Sequence, residues 1–312
     1  MRSSPASFVI LILVGSCVCC GQAPRVQPPL FDGNRAFTYL RTQVEFGPRV
    51  PGSDASARCR DYIYDHFRGL GLVVDSQVFV FRDPYSDADV RMVNVVGSYD
   101  PANVSAAARI VLMAHYDSRP RAEYARDPNL AGEPIDGAND GASGTAVLME
   151  MANLIARDAP PGAVDLVLVD GEDWGVTGDH ERYMLGSRHF ARQGIRGKYR
   201  FGIVVDMVGD IDQRILREGY SEIYGKSLND MVWRSARELG IDAFYDSIGD
   251  SVLDDHLSLN VGGVPSINII DFDYPYWHTE FDTPDKCSGL SLANVGRVLT
   301  EIIYNPSLWP EK

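Results

Sequence analysis

The feature that most constrains the fold is a series of short apolar segments that lack a polar face. These segments occupy residues 109–114, 164–169, 202–205 and 265–270. Strands that are apolar on both faces are typical of parallel sheets covered by helices on both sides. Helical patterns lie between the segments, and such alternation favours strand–helix–strand units. The sequence therefore predicts an α/β fold, namely a single domain with a mostly parallel, mixed sheet and helices on both faces.

Amphipathic periodicity supports this prediction and locates the helices. In residues 31–45, Phe37, Leu40 and Val44 follow helical spacing, which predicts one apolar face. Neither an internal repeat nor an interdomain linker interrupts the pattern. The predicted helices cover residues 31–45, 54–68, 143–156, 227–239 and 290–304, and two more strands cover 73–81 and 90–96.

The N-terminus has the pattern of an export signal. Arg2 precedes an apolar stretch at residues 8–14, which is shorter than the roughly 20 residues that a membrane-spanning helix needs. Residues 14–17 resemble a bacterial lipoprotein signal with Cys17 as the lipidated residue, so lipid tethering and plain cleavage both remain open. We expect an exported protein that is periplasmic, tethered to the outer envelope or extracellular. The predicted organisation is a signal peptide at residues 1–20, a linker at 21–30 and one folded domain at 31–312.

Charge and cysteine content exclude some classes of function. The formal net charge of -14 and the lack of a Lys/Arg run argue against nucleic acid as a partner, because phosphate binding needs a clustered basic surface. Outside the predicted signal, the cysteines are Cys59 and Cys287. They do not have zinc-finger spacing, and we expect two buried thiols rather than a disulfide.

Groups that bind metals follow the predicted strands. Ligands of open α/β sheets bind beyond the carboxyl ends of the strands, so these side chains are expected to lie close together. Zinc takes imidazole nitrogen and carboxylate oxygen, and a catalytic site uses about three protein ligands. Adjacent Glu172 and Asp173 suit a division of labour in which one is a base and the other a ligand. The set comprises His115, Asp117, Glu172, Asp173, Asp206 and His278, with Asp140 in a loop before a helix.

These motifs resemble the co-catalytic zinc aminopeptidase superfamily, which also contains the animal-type glutaminyl cyclases. The resemblance extends from about Gly47 to the C-terminus and implies a zinc aminopeptidase-like fold, with the metal held by Asp140, Asp173 and His278. The motifs that carry it are His115-Tyr116-Asp117, Asn139-Asp140-Gly141-Ala142-Ser143-Gly144, Glu172-Asp173, Asp206-Met207-Val208 and His278-Thr279, in that order.

Two details resemble the cyclase branch, and in particular its bacterial homologues. Trp277 directly precedes His278, and Asp255 lies in an Asp-Asp-His segment upstream. One detail departs from the animal cyclases, which carry two adjacent glutamates where this chain has Glu172 and Asp173. Because aspartate is one methylene shorter, the backbone at Asp173 must approach the metal more closely.

The cyclase resemblance implies a glutaminyl-peptide cyclotransferase with one zinc ion that acts on peptide or protein N-termini. Glu172 would then take a proton from the α-amine of an N-terminal Gln and return one to the departing ammonia. Asp206 and Asp255 would orient Glu172 and the leaving nitrogen, and Trp277 would form the wall of the Gln pocket. General acid–base help of this kind accelerates reactions by roughly 10²–10⁴-fold.

Two alternatives remain at this point. In a metallo-aminopeptidase, a second zinc ion would bind His115 and Asp206, Asp140 would bridge the two ions, and Glu172 would activate water. A metal-free binding module is disfavoured because the ligands and the base are all present.

Some nearby residues carry weaker predictions. Arg119 and Arg121 either line the entrance or are solvated loop residues. Asp117 is a candidate to orient His115, because ligating histidines commonly donate their other nitrogen to a carboxylate. His256 is expected to be structural rather than a ligand.

Overall fold

The computed structural model describes residues 26–101 and 109–311. The predicted signal peptide and Cys17 lie outside these residues and stay predictions. The described end of the linker is attached to the domain, because Val26 donates to Asn305 Oδ1 at 2.8 Å and accepts from Asn305 Nδ2 at 3.1 Å. No helix within 26–101 or 109–311 is long and apolar enough to cross a membrane.

The core of the molecule is a six-stranded sheet in the order β1-β2-β4-β3-β5-β8. β3, β4, β5 and β8 run parallel, whereas β1 and β2 join antiparallel at one edge. Every residue of β4, β5 and β8 is buried, as the apolar segments predict. The strands are β1 (Val73–Arg82), β2 (Asp89–Tyr99), β3 (Arg109–His115), β4 (Ala163–Val169), β5 (Gly202–Asp206) and β8 (Ser266–Ile270), and β6 (Ile215–Arg217) pairs with β7 (Phe244–Ile248) in a small separate sheet.

Helices cover both faces of the large sheet, which confirms the predicted fold class. Alternate residues of β3 point to opposite sides: Leu112 packs in the core beneath α1, α3 and α8, and Met113 packs in the core beneath α4 and α7. The α-helices are α1 (Gly33–Glu45), α2 (Asp54–Gly69), α3 (Ala142–Arg157), α4 (Leu185–Arg192), α5 (Gly219–Tyr224), α6 (Lys226–Glu238), α7 (Asp255–Val261) and α8 (Gly289–Tyr304).

The five predicted helices exist, and their ends are decided by caps. α1 begins at Gly33 instead of residue 31 because the Asp32 side chain accepts from the Arg35 amide at 3.0 Å and ends the extended segment before it. The sequence did not predict α4, α5, α7 or the β6–β7 pair. Cys59 and Cys287 are buried free thiols, as expected.

The order of the strands creates the position for a site. The chain places β4 on one side of β3 and then crosses to place β5 on the other side. The last residue of β3 is His115 and the last residue of β5 is Asp206, so both lie at the carboxyl ends of strands next to this change of direction. In open α/β sheets this is where ligands bind.

Candidate metal centre and active site

Two overlapping groups of metal-competent side chains meet at the carboxyl edge of the sheet, and Asp140 belongs to both. In each group the ligand atoms lie within 4.8 Å of one another, and every residue is buried. His278 Nε2 lies 3.4 Å from Asp173 Oδ1 and 3.6 Å from Asp140 Oδ2. His115 Nε2 lies 3.0 Å from Asp206 Oδ1 and 3.2 Å from Asp140 Oδ1. The two oxygens of Asp140 therefore face different groups, and the three predicted ligands Asp140, Asp173 and His278 do come together.

The first group fits a zinc ion. Asp140 Oδ2 and Asp173 Oδ2 are buried and lack a hydrogen-bond partner among the described residues. Burial and the neighbouring Asp173 raise the pKa of Asp140 well above its usual value. Buried carboxylate oxygens without a partner are costly, and a divalent cation removes that cost. Two carboxylates and one imidazole form a donor set that zinc prefers, with a fourth position left for substrate.

Asp282 holds the loop that carries Asp140. Its carboxylate accepts from the amides of Asn139 at 2.8 Å and Asp140 at 3.1 Å, and from the Tyr274 hydroxyl at 2.8 Å. Gly141 follows with φ of 101°, and a Cβ there would lie 2.3 Å from a backbone oxygen, so only glycine fits. Asp282 is thus a positioning residue, and no motif in the sequence indicates this role.

Asp117 holds the segment that carries Glu172 and Asp173. Its two carboxylate oxygens accept from the amides of Glu172 and Asp173, each at 3.2 Å. The predicted contact with His115 is longer, since His115 Nδ1 lies 3.5 Å from Asp117 Oδ1. Asp117 therefore contacts the Glu172–Asp173 backbone more closely than it contacts His115.

Glu172 lines the same pocket as the candidate metal ligands. It lines this pocket together with Asp140, Asp173 and His278, and only 8% of its surface is exposed. Burial and then the nearby Asp173 raise its pKa well above the ordinary value. A carboxylate with a raised pKa is a better proton acceptor, which suits the predicted base.

The structure places Asp254, one residue before the predicted Asp255, on the pocket wall. Asp206 and Asp254 both line the pocket, and burial followed by the charge of Asp206 raises the pKa of Asp254 to about 6. Asp254 caps α7 and accepts from Asn268 Nδ2. Asp255 is the first residue of α7 and is fully buried outside the pocket lining. Spacing in the sequence did not distinguish these two neighbours.

Aromatic residues form another part of the pocket lining. The half-buried ring of Trp277 lies 5.4 Å from that of Tyr124 and 5.1 Å from that of Phe272, and it lines the pocket as predicted. His278 follows with φ of 55°, in the left-handed region that a non-glycine residue seldom adopts. Such strain is typical of functional sites, and here it occurs at a residue whose imidazole lies 3.4 Å from Asp173 Oδ1.

Arg119 contacts the candidate metal ligand Asp173, and no motif in the sequence indicates its burial. Its side chain is fully buried, so neither of the predicted locations, entrance or solvent, is correct. Nη1 donates to Asp173 Oδ1 at 3.0 Å and to the Asp173 carbonyl oxygen at 3.1 Å, and Nη2 donates to the Tyr183 hydroxyl at 2.8 Å. Arg119 therefore fixes the orientation of one ligand.

The other basic residues lie outside the site. Arg121 is half-buried and donates to the carbonyl oxygen of Trp174 at 3.2 Å. His256 is fully buried, and its Nε2 lies 3.1 Å from Glu218 Oε2, in agreement with the predicted structural role.

Comparison with known proteins gives consistent matches. Residues 94–303 match the model of peptidase family M28. A glutaminyl cyclase of Bacteroides thetaiotaomicron is 36% identical, with a TM-score of 0.84 that covers 89% of this chain and 99% of that chain. A leucine aminopeptidase precursor from the same organism is also 36% identical, with a TM-score of 0.85 over 90% and 99% of the two chains. The glutaminyl-peptide cyclotransferase of Bothrops jararaca is 26% identical over 295 residues, which are 80% of this chain and 75% of the relative.

Proposed function

Because the chain belongs to peptidase family M28, we propose that it is a zinc-dependent glutaminyl-peptide cyclotransferase. It converts the N-terminal Gln of peptides to pyroglutamate and releases ammonia. The observation that carries this proposal is one pocket that combines the Asp140–Asp173–His278 group, the base Glu172 and the aromatic wall of Trp277. Similarity to glutaminyl cyclases from a bacterium and from a snake supports cyclisation as the reaction.

The residues of the pocket account for the steps of the reaction. Asp140, Asp173 and His278 would hold the zinc ion, which would supply Lewis-acid polarisation of the substrate's side-chain carboxamide. Glu172 accepts a proton from the α-amine, whose nitrogen bonds to the carboxamide carbon and closes the five-membered ring. Glu172 then donates a proton to the departing nitrogen as its bond to the same carbon breaks, so ammonia leaves and the base is restored.

The remaining pocket residues orient and shield these groups. Asp206 and Asp254 lie on the wall with Glu172, where they accept hydrogen bonds from the amine and the leaving nitrogen. Trp277 packs against the methylenes of the Gln side chain and excludes water. Exclusion of water favours ring closure over hydrolysis and strengthens the electrostatic interactions inside the pocket.

We propose one zinc ion per chain, at the Asp140–Asp173–His278 group. In the second group, the His115 Nε2 to Asp206 Oδ1 distance of 3.0 Å is that of a hydrogen bond, so these two atoms satisfy each other. In the first group, Asp140 Oδ2 and Asp173 Oδ2 lack such a partner within the described part of the chain. Two co-catalytic ions would instead indicate a metallo-aminopeptidase, for which the second group offers the ligands.

One experiment separates the two reactions. Purified protein is incubated with a Gln-initiated and a Leu-initiated peptide, and the products are analysed by mass spectrometry. Loss of ammonia from the first without cleavage of either supports the cyclase, whereas release of the first amino acid would establish the peptidase. Metal analysis is expected to give one tightly bound zinc per chain, and two would contradict the proposal.

Two variants test the role of Glu172. Glu172→Gln is expected to lower turnover by about 10²–10⁴-fold while zinc content is retained. Glu45→Gln makes the same chemical change at an exposed position on α1 and serves as the control. Undiminished turnover in Glu172→Gln would overturn the assignment of the base.

We also propose that the protein is exported and acts on peptides outside the cytoplasm. The apolar stretch at residues 8–14 after Arg2 supports this location. Mass spectrometry of the mature N-terminus tests it: cleavage shows export, a lipid on Cys17 shows tethering, and an intact leader contradicts the proposal.

A further inference from the structure

A second and larger concavity adjoins the catalytic pocket, between α4 and α7. We call it the α4–α7 groove. Its volume is about 570 Å³, compared with about 50 Å³ for the catalytic pocket. Pockets of ~300–1,000 Å³ are the size that typically binds drug-sized ligands. Its main lining residues are Met184, Arg188, Arg192, Leu253, Leu257 and Val261.

The groove and the catalytic pocket share a wall. Leu253 lines both of them. The chain also passes from one to the other at two places: Tyr183 and Asp254 line the pocket, and their neighbours Met184 and Leu253 line the groove. A peptide whose first residue occupies the catalytic pocket therefore continues naturally over Leu253 into the groove.

The dimensions of the groove correspond to a short peptide segment. Its side wall is α4, whose eight residues extend for about 12 Å at 1.5 Å per residue. An extended peptide advances about 3.3–3.6 Å per residue, so three to four residues match this length. Leu253 and Val261 are exposed by 39% and 85% of their surfaces, which leaves apolar area available for contact.

The charge of the groove is opposite to that of the protein. None of its lining residues is acidic, although the chain has 43 Asp and Glu residues and a net charge of -14. Arg188 donates to the carbonyl oxygens of His180 at 2.8 Å and Glu181 at 2.6 Å, and no carboxylate of the described chain forms an ion pair with it. The Arg192 side chain is exposed and has no hydrogen bond or ion pair with any described residue.

The charged groups around Arg188 add a reason for an anion to bind. Burial and then the neighbouring Arg192 lower the pKa of Arg188, whereas Asp255, Glu181 and Glu172 act in the opposite direction. The two guanidinium groups, four residues apart on α4, therefore repel each other along one side of the groove. A carboxylate placed between them relieves that repulsion and accepts charge-assisted hydrogen bonds.

We propose that the α4–α7 groove binds the second to fourth residues of the substrate and selects peptides that carry a carboxylate there. Apolar side chains of the peptide contact Leu253, Leu257 and Val261, and an Asp, a Glu or the C-terminal carboxylate of a short peptide pairs with Arg188 and Arg192. This inference rests on the proposed function, because it takes the catalytic pocket as the place of the N-terminal Gln.

The test compares Gln-initiated peptides that differ in one charge. In a series of C-terminally amidated pentapeptides, position two, three or four carries Glu, Gln or Lys, and kcat/KM is measured for each. We expect Glu to exceed Lys about three- to fivefold at one or more positions, as for a partly exposed ion pair. The ratio is expected to shrink as salt is raised from 50 to 500 mM, because salt screens such pairs.

Matched variants assign the preference to the groove. Arg192→Gln is expected to bring the Glu-to-Lys ratio close to one, and Arg188→Gln tests the second cation. Arg234→Gln removes one positive charge from an exposed position on α6 and is expected to keep the wild-type ratio. Turnover of Gln-amide, which has no downstream residue, separates a general loss of activity from a lost preference. A ratio near one in the wild-type enzyme, or an unchanged ratio in Arg192→Gln, would overturn the proposal.

A binding measurement keeps this inference distinct from the proposed function. Fluorescence anisotropy with labelled Glu and Lys peptides is carried out on Glu172→Gln protein. If neither Gln-amide nor any peptide is cyclised, the proposed function fails, and the groove is judged on binding alone. Tighter binding of the Glu peptide that Arg192→Gln removes supports the groove, and equal binding of both peptides refutes it.

Discussion

Replacement of Asp282 by Asn is the most informative perturbation of the metal centre. Asp282 Oδ1 accepts from Asn139 and Tyr274, and Oδ2 accepts from the Asp140 amide. If the amide nitrogen of an asparagine takes the place of Oδ2, the interactions with Asn139 and Tyr274 remain. The interaction with Asp140 is lost, because two N–H donors then face each other. The variant therefore loses one hydrogen bond to a charged acceptor, at the residue that faces both metal-ligand groups.

The magnitude of the effect differs between the metal-bound and the metal-free protein. A hydrogen bond to a charged group contributes about 1.5–3 kcal/mol. If this hydrogen bond is needed to hold Asp140 only in the metal-bound state, its loss lowers zinc affinity about 10- to 150-fold. Changes at residues behind the ligands typically lower metal affinity about 10–100-fold. Burial raises the pKa of Asp282 to about 6, so the ionised group costs the metal-free fold about 3 kcal/mol at pH 7.5. Removal of that charge offsets the lost hydrogen bond there.

The assay is chelator competition for zinc affinity together with thermal unfolding of the metal-free and zinc-loaded protein. We expect zinc affinity to fall at least tenfold while the Tm of the metal-free protein changes by only a few degrees. Asp285→Asn makes the same change at an exposed neighbour and should alter neither quantity. A variant with zinc affinity within threefold of the wild type would refute the positioning role of Asp282.

Three further perturbations test other parts of the site. Asp254→Asn is expected to lower kcat for Gln-amide about 10²-fold, whereas Asp255→Asn is expected to affect Tm more than kcat. A larger loss of kcat in Asp255→Asn than in Asp254→Asn would contradict the placement of Asp254 on the pocket wall. Arg119→Lys cannot reproduce the paired hydrogen bonds to Asp173 and should raise the zinc dissociation constant about tenfold. An unchanged dissociation constant in chelator competition would show that Arg119 has no positioning role. Burial opposes ionisation of Glu218, but His256 and Ser221 outweigh it and hold its pKa at about 2, below the usual 4.5. The contribution of ionised Glu218 to stability is thus complete above pH 4.5 and is lost as the pH falls towards 2. The difference in urea-unfolding free energy between wild type and Glu218→Gln should therefore shrink over that range. A constant difference would disprove the linkage.

Prediction from the sequence succeeded for elements whose signal is contained in their own residues. β4 and β8 are apolar on both faces, so their burial follows from composition, and α3 is long enough for its periodicity to be recognised. α4 and α7 have eight and seven residues, about two turns each, in which an apolar period is too short to identify. Their existence depends on packing against each other and on the sheet.

The site shows the same division at the level of single residues. His115 and Asp206 end parallel strands, and the topology brings the ends of such strands together, so their proximity was predictable. Arg119 looked like one of two loop arginines because its partner Asp173 is 54 residues away. Asp282 contacts the amide of Asn139 across 143 residues. No local pattern marks a contact of that range.

The sequence by itself determined which residue types follow each buried strand. From these residue types it predicts a metal centre with an adjacent carboxylate base. Only the tertiary structure decided that Asp254 rather than Asp255 faces the pocket, that Arg119 is buried against Asp173, and that α4 and α7 enclose a groove with two cations. The physical reason is that residue type is a local property, whereas burial, side-chain direction and charge environment depend on segments that meet only when the chain is folded.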